Sequence, residues 1–133
     1  MAIDRAALVA GSIRLASGIS FLVDPIKANK LWGDPDDQTP TAQLLLRSMG
    51  YRDALIGGLL ATSALRGKNT RGWFLASAGA DAADLLGGVS VHGELKRAQQ
   101  IIGLGGAIVG VGVGLWGAVR PARRVVEAPA DSN

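Results

Sequence analysis

Cysteine is absent from this 133-residue chain and histidine occurs once. The first absence excludes a disulfide framework, a thiolate nucleophile and a cysteine-ligated metal. The second excludes an all-histidine metal site within one chain. Aromatic residues make up only 5% of the sequence, too few for the stacking platforms that single-stranded nucleic acids require. The net charge of +3 therefore calls for another explanation. No nucleophile–base pair, metal-ligand set or phosphate loop stands out. Gly103, Gly105 and Gly106 do not form a dinucleotide fingerprint, because no strand precedes them and no acid follows about 20 residues on. No cofactor, catalytic residue or nucleic-acid partner is expected, and an enzyme is disfavoured.

What the chain does have is glycine, 19 residues of it, and charges that gather between apolar runs. The mean hydropathy is +0.26 although 19% of residues are charged. Gly-rich apolar sequence is poor core material in water, but in lipid it lets helix backbones approach closely. The pattern predicts one all-α domain over 1–133, an integral membrane bundle of four helices. The expected spans are roughly 6–23, 41–65, 73–92 and 101–119. The fourth runs from Ile101 to Val119 without a single charge.

Asp24-Pro25 ends the first segment, because the residue before proline is pushed out of the helical region. Residues 25–33 alternate apolar and lysine positions and read as a short interfacial helix with Trp32 at headgroup depth. Thr39 or Thr41 is placed to cap the second segment, with Pro40 in its first turn. Arg120-Pro121 ends the fourth, and the chain beyond about 121 reads as a flexible tail. Arg14 interrupts the first apolar run and Asp4 precedes it, so that run is expected to be retained as a span and not cleaved as a signal.

Loop charges give the orientation. Arg5, Arg66, Lys68, Arg71, Arg120, Arg123 and Arg124 share one side; Lys27, Lys30, Lys96 and Arg97 share the other. The richer side is assigned to the cytoplasm, with both termini, in a multi-pass plasma-membrane protein. Arg120, Arg123 and Arg124 are placed to touch anionic lipid.

Charges within the spans are the main chemical feature. Arg14, Arg52, Asp53, Asp81 and Asp84 fall near the middles of three segments, and Arg47 lies about a turn and a half from Arg52. An ionised group alone at the bilayer centre costs roughly 3 kcal/mol or more. Mutual pairing of these six, formally neutral in sum, is the expected solution. Asp81 and Asp84, three apart, share a helix face and are expected to meet Arg14, Arg52 or both. The layer reads in two ways: as an ionic cluster fixing helix register, or as a polar site for an ion, proton or lipid headgroup. His92, at the end of the third span, reads as an interfacial residue.

Gly106, Gly110 and Gly114 form two overlapping G-x-x-x-G steps, a strip for helix packing or for a partner. Gly79, Ala83 and Gly87 make a similar strip on the third span, and Gly57, Gly58 and Ala61 on the second. Leu104, Ile108, Val109 and Leu115 are left for lipid.

The runs RLASGISFLVDP (14–25) with LWG (31–33), LLRSMGYRDALIG (45–57) and ADAADLLGG (80–88) resemble a family of small four-span membrane proteins. That family is found in actinobacteria, other bacteria and fungi and is catalogued as a domain of unknown function. The resemblance covers roughly residues 8–118, and Gly50-Tyr51-Arg52-Asp53 is its most distinctive piece. It implies the same fold and the same intramembrane charges, and no activity. Two functions are carried forward. One is a non-enzymatic accessory or scaffold subunit, packed against a larger membrane complex or its own copies. The other is a self-contained carrier or lipid- or small-molecule-binding protein that uses the Arg/Asp layer. A water- or lipid-filled opening at that layer would favour the second.

Overall fold

A computed structural model describes residues 3–32, 39–91, 93, 97 and 100–121, without the side chains of Leu31 and Trp32. The ring of Trp32, and His92, Arg123 and Arg124, all singled out from the sequence, lie outside that description. The described residues are all-α: α1 (Arg5–Val23), α2 (Pro25–Trp32), α3 (Pro40–Leu65), α4 (Arg71–Ser90) and α5 (Gly105–Val119), the last entered through a π-helical turn at Gln100–Leu104.

Capping explains the boundaries. Asp4 accepts a hydrogen bond from Ala7 N at 3.1 Å and opens α1. Asp24 closes α1 and its Oδ1 accepts from Lys27 N at 3.1 Å, so one residue ends α1 and starts α2. Thr39 opens α3 by accepting from Ala42 N at 3.2 Å, with Pro40 as first helical residue. At the other end of α3, Gly67 has φ 59°, and Lys68 N donates to Ser63 O at 2.9 Å. This double-bonded C-cap needs a left-handed residue, which glycine supplies without strain.

The helices associate as two pairs. α1 lies antiparallel on α3, and their backbones touch. A Cβ built on Gly11 would fall 2.6 Å from Ala61 N, and one on Gly57 would fall 2.7 Å from Gly11 O. One turn-pair further along, a Cβ on Gly18 would meet Gly50 O at 2.6 Å. In the second pair α5 lies on α4: a Cβ on Gly114 would fall 2.7 Å from Ala78 Cβ, and Gly117 underlies the Phe74 ring. Contact between the pairs is sparser.

The pairs are joined at one end by a small core of Ala7, Leu60, Ala64, Phe74 and Ala118. Among the described residues eight of the eleven buried apolar ones are alanines, whereas large apolar side chains such as Ile13, Leu44, Leu86, Val109 and Val119 are exposed. Among the described residues two helical stretches, Arg5–Val23 and Gln100–Val119, are long and apolar enough to cross a membrane.

Candidate functional site

The ionisable residues of the helix interiors meet where the two pairs face each other. Arg14 projects from the middle of α1 between two carboxylates. Its Nη1 donates to Asp81 Oδ2 at 2.8 Å and to Ser77 Oγ at 2.7 Å. Its Nη2 donates to Asp81 Oδ1 and to Asp53 Oδ1, both at 2.9 Å. Arg52 continues the chain: Nε donates to Asp53 Oδ1 at 3.1 Å, while Nη1 and Nη2 hold the two oxygens of Asp84 at 2.9 and 2.7 Å. The order Asp81–Arg14–Asp53–Arg52–Asp84 alternates in sign and links α1, α3 and α4. Both guanidinium forks grip a carboxylate with two bonds, the geometry that planar donors favour.

Exposure rises along this chain. The Arg14, Asp53 and Asp81 side chains are 13%, 17% and 14% exposed, whereas Arg52 and Asp84 are 32% and 40% exposed. Arg14 Nε is buried with no partner among the described residues. α5 contributes room to the site. A Cβ on Gly110 would fall 2.6 Å from Asp81 Cγ, so only glycine leaves space there for the carboxylate.

Beside the layer the pairs diverge around a cavity of about 930 Å³. Arg14, Asp53, Asp81 and Asp84 stand on its wall, and Ile13, Leu46, Ile101 and Val113 are among the apolar residues that complete it. A family model described as a domain of unknown function (DUF4267) matches residues 11–117, a stretch that contains the whole layer and most of the cavity wall. The chain belongs to that family. No curated protein and no solved structure matches it.

Arg47, Arg120 and Leu104 of this DUF4267 chain depart from their expected places. Arg47 does not join the layer; its Nη1 donates to Leu22 O at 3.1 Å. The last carbonyls of a helix have no intrahelical partner, and α1 ends at Val23, so Arg47 caps α1 from outside. The layer is thus two guanidiniums against three carboxylates, formally −1 and not neutral. Arg120, expected on lipid, pairs with Asp4. Its guanidinium lies 5.0 Å from the Phe74 ring centre and 5.2 Å from that of Trp116. Asp4 Oδ2 also accepts from Thr70 Oγ1 at 3.0 Å, which ties together the start of α1, the α3–α4 turn and the end of α5. Burial pushes the Asp4 carboxyl up, but the bonds from Arg120, Ala7 and Thr70 outweigh it and hold the group below its ordinary 3.8.

Gly110 and Gly114 pack on α4, but Gly106 is exposed on the cavity wall. Leu104 turns inward onto Gly88, while Ile108, Val109 and Leu115 are exposed. On α4, Gly79 and Gly87 have nothing within 4 Å of an added Cβ. The contacts that hold α1 to α3 use Gly57 and Ala61, both in the small strip read on the second span, together with Gly11, Gly18 and Gly50, which were not read as packing residues. Gly11 and Gly18 are seven residues apart, as are Gly50 and Gly57. That matched spacing keeps small residues on one seam of two crossing helices and was a readable signal.

Proposed function

We propose that this chain is a four-span membrane protein that binds a small apolar or amphiphilic molecule in the groove between its helix pairs, without catalysing a reaction. The observation that carries the reading is the 930 Å³ cavity with the ion-paired layer on its wall. Its size is that of ordinary ligand pockets, which combine apolar walls with a few fixed polar groups.

The spans are supported by lengths and by exposure. At 1.5 Å per residue, α1, α4 and Gln100–Val119 are each about 30 Å long, and α3 is longer. Only 22% and 17% of the two apolar stretches are buried, whereas the core helix of a water-soluble protein would be mostly enclosed. α3 and α4 are less apolar because they carry Arg52, Asp53, Asp81 and Asp84, and those charges are paired with Arg14 or with each other. Paired in this way, they no longer forbid a bilayer. With the positive-inside assignment, both termini are cytoplasmic in the plasma membrane.

Two experiments test the reading. The chain has no cysteine, so single cysteines report topology cleanly. On intact cells, a membrane-impermeant maleimide should label Lys30→Cys and spare Lys68→Cys until the membrane is opened. Equal labelling of both would overturn the four-span topology. For binding, the full chain in mild detergent should retain a small molecule in native mass spectra or bind a neutral apolar dye. Val113→Trp, which fills the groove, should abolish either. A wild-type protein that neither retains nor binds anything would sink the groove reading.

A second reading is favoured by one feature, the outer strip of Gly79, Ala83 and Gly87 on α4, which is exposed, with nothing within 4 Å of a Cβ added at either glycine among the described residues. It is shaped for a close helix contact with a membrane partner or a second copy. Recovery of a large membrane complex at fixed ratio with the tagged protein would support it.

A further inference from the structure

We infer that the groove selects an amphiphile with one cationic head, an amine or quaternary ammonium, on an apolar body, and that the head lodges beside Asp84. The inference rests on the groove-binding reading and adds the ligand's charge and its place.

The first ground is the sum of charges. Two guanidiniums, Arg14 and Arg52, face three carboxylates, Asp53, Asp81 and Asp84. Arg47, which would have balanced them, caps α1 at Leu22 O instead. Of the other described cations, Lys27 pairs with Asp24, and Arg120 with Asp4 at the far end of the bundle. One negative charge is left over in a poorly polarisable setting, where an uncompensated ion is costly. A cationic ligand removes that cost on binding.

The second ground is where the excess is accessible. Asp81 and Asp84 each have both oxygens on one guanidinium, and Asp53 shares one oxygen between Arg14 and Arg52, so exposure decides where a ligand can reach. Asp84 ends the chain with Arg52 as its guanidinium partner, is the most exposed member at 40%, and lines the cavity. Each carboxylate oxygen retains a lone pair after accepting one bond, so an ammonium has acceptors there.

The third ground is the wall. Ile13, Leu46, Ile101, Val109 and Val113 present hydrocarbon over most of the cavity. A small metal ion needs a shell of several oxygens and gains nothing from such a wall. An anionic amphiphile would fit the wall but would put a second negative charge beside the first. A lone proton would balance the charge and leave the groove without an occupant.

The test is competition for a neutral dye, Nile red, bound to the full-length protein in maltoside detergent. Competitors share a twelve-carbon chain: dodecylamine, dodecyltrimethylammonium, dodecanol and dodecanoate. Both cations should displace the dye at about tenfold lower concentration than the alcohol, and the acid should be weakest. Asp84→Asn should bring the amine to the level of the alcohol without loss of dye binding. If that variant does not fold, Met49→Lys, which places an ammonium in the groove wall, should do the same.

Equal displacement by amine and alcohol would overturn the cationic preference and leave the groove reading intact. Failure of the wild type to bind the dye would remove both. Competition by sodium or potassium chloride as strong as that of the amine would make this an inorganic-cation site and overturn the inference. So would stronger competition by a short-chain phosphatidylethanolamine, because a zwitterionic lipid head would then be the better fit.

Discussion

Arg52 grips Asp84 through two parallel bonds of 2.9 and 2.7 Å and so fastens α3 to α4 across a seam that has few other contacts. The same guanidinium reaches Asp53 on its own helix at 3.1 Å, which fixes its rotamer before α4 is engaged. Strength along the ionic chain should follow burial, since exposed pairs are weak and broken buried pairs are costly.

Arg14→Gln should therefore destabilise the fold by about 3–5 kcal/mol, because it leaves Asp81 without a cation and Asp53 with Arg52 Nε alone in the interior. Arg52→Gln should cost about 1 kcal/mol, since its pair with Asp84 is partly open. Thermal unfolding in detergent measures both. An equal loss from the two variants would contradict the graded burial. A double-mutant cycle of Arg14→Gln with Asp81→Asn should show a coupling of about 1–3 kcal/mol.

Gly110→Ala should behave like an Arg14 variant although no charge is touched. Its new methyl group would occupy the place of the Asp81 carboxylate. Gly112→Ala, on the open side of the same helix with nothing within 4 Å of an added Cβ, should be neutral or mildly stabilising. If the two substitutions proved alike in thermal stability, glycine at 110 would not be making room for Asp81.

The α1–α3 seam gives a second contrast among glycines. Gly57→Ala should destabilise by about 1–3 kcal/mol, because its methyl group would meet the α1 backbone and not a movable side chain. Gly79→Ala, facing open space on α4, should gain up to about 1 kcal/mol from helix propensity alone. Loss of stability in Gly79→Ala would instead mark that strip as an occupied contact surface in the assembled protein.

Asp4 sets an acid limit. Its carboxyl lies below 3.8 in the folded chain, so the unfolded state binds the proton first. The stability it contributes is complete above about pH 5 and fades as the pH falls through 4 and below. Stability curves of wild type and Asp4→Asn measured between pH 6 and 3 should converge at the acid end. Curves that stay parallel would show that the Asp4–Arg120 tie carries no linkage.

Much of this arrangement is legible in the sequence, because a charge inside an apolar run has few places to go. The mid-helix positions of Arg14, Arg52, Asp53, Asp81 and Asp84, and the spacing of the two α4 carboxylates, are enough to group them. Arg47 misleads because it was grouped by proximity along the chain. Five residues turn a helix by about 140°, which points Arg47 and Arg52 to different faces. The α1 carbonyl that receives Arg47 belongs to a helix end, which local sequence does not place in space. Arg120 and Asp4 are separated by 116 positions, and only the closed bundle brings them together.

The position of Arg14 also constrains how the chain is made. It lies upstream of its acid partners, which follow 39 and 67 residues later. In a bilayer, α1 cannot be released alone at low cost, because its guanidinium would have no counter-ion until α3 and α4 arrive. In the proposed four-span topology, the helices that carry Arg14, Asp53 and Asp81 therefore leave the insertion machinery as one body, which makes the ionic layer a timing device in biogenesis as well as a feature of the finished protein.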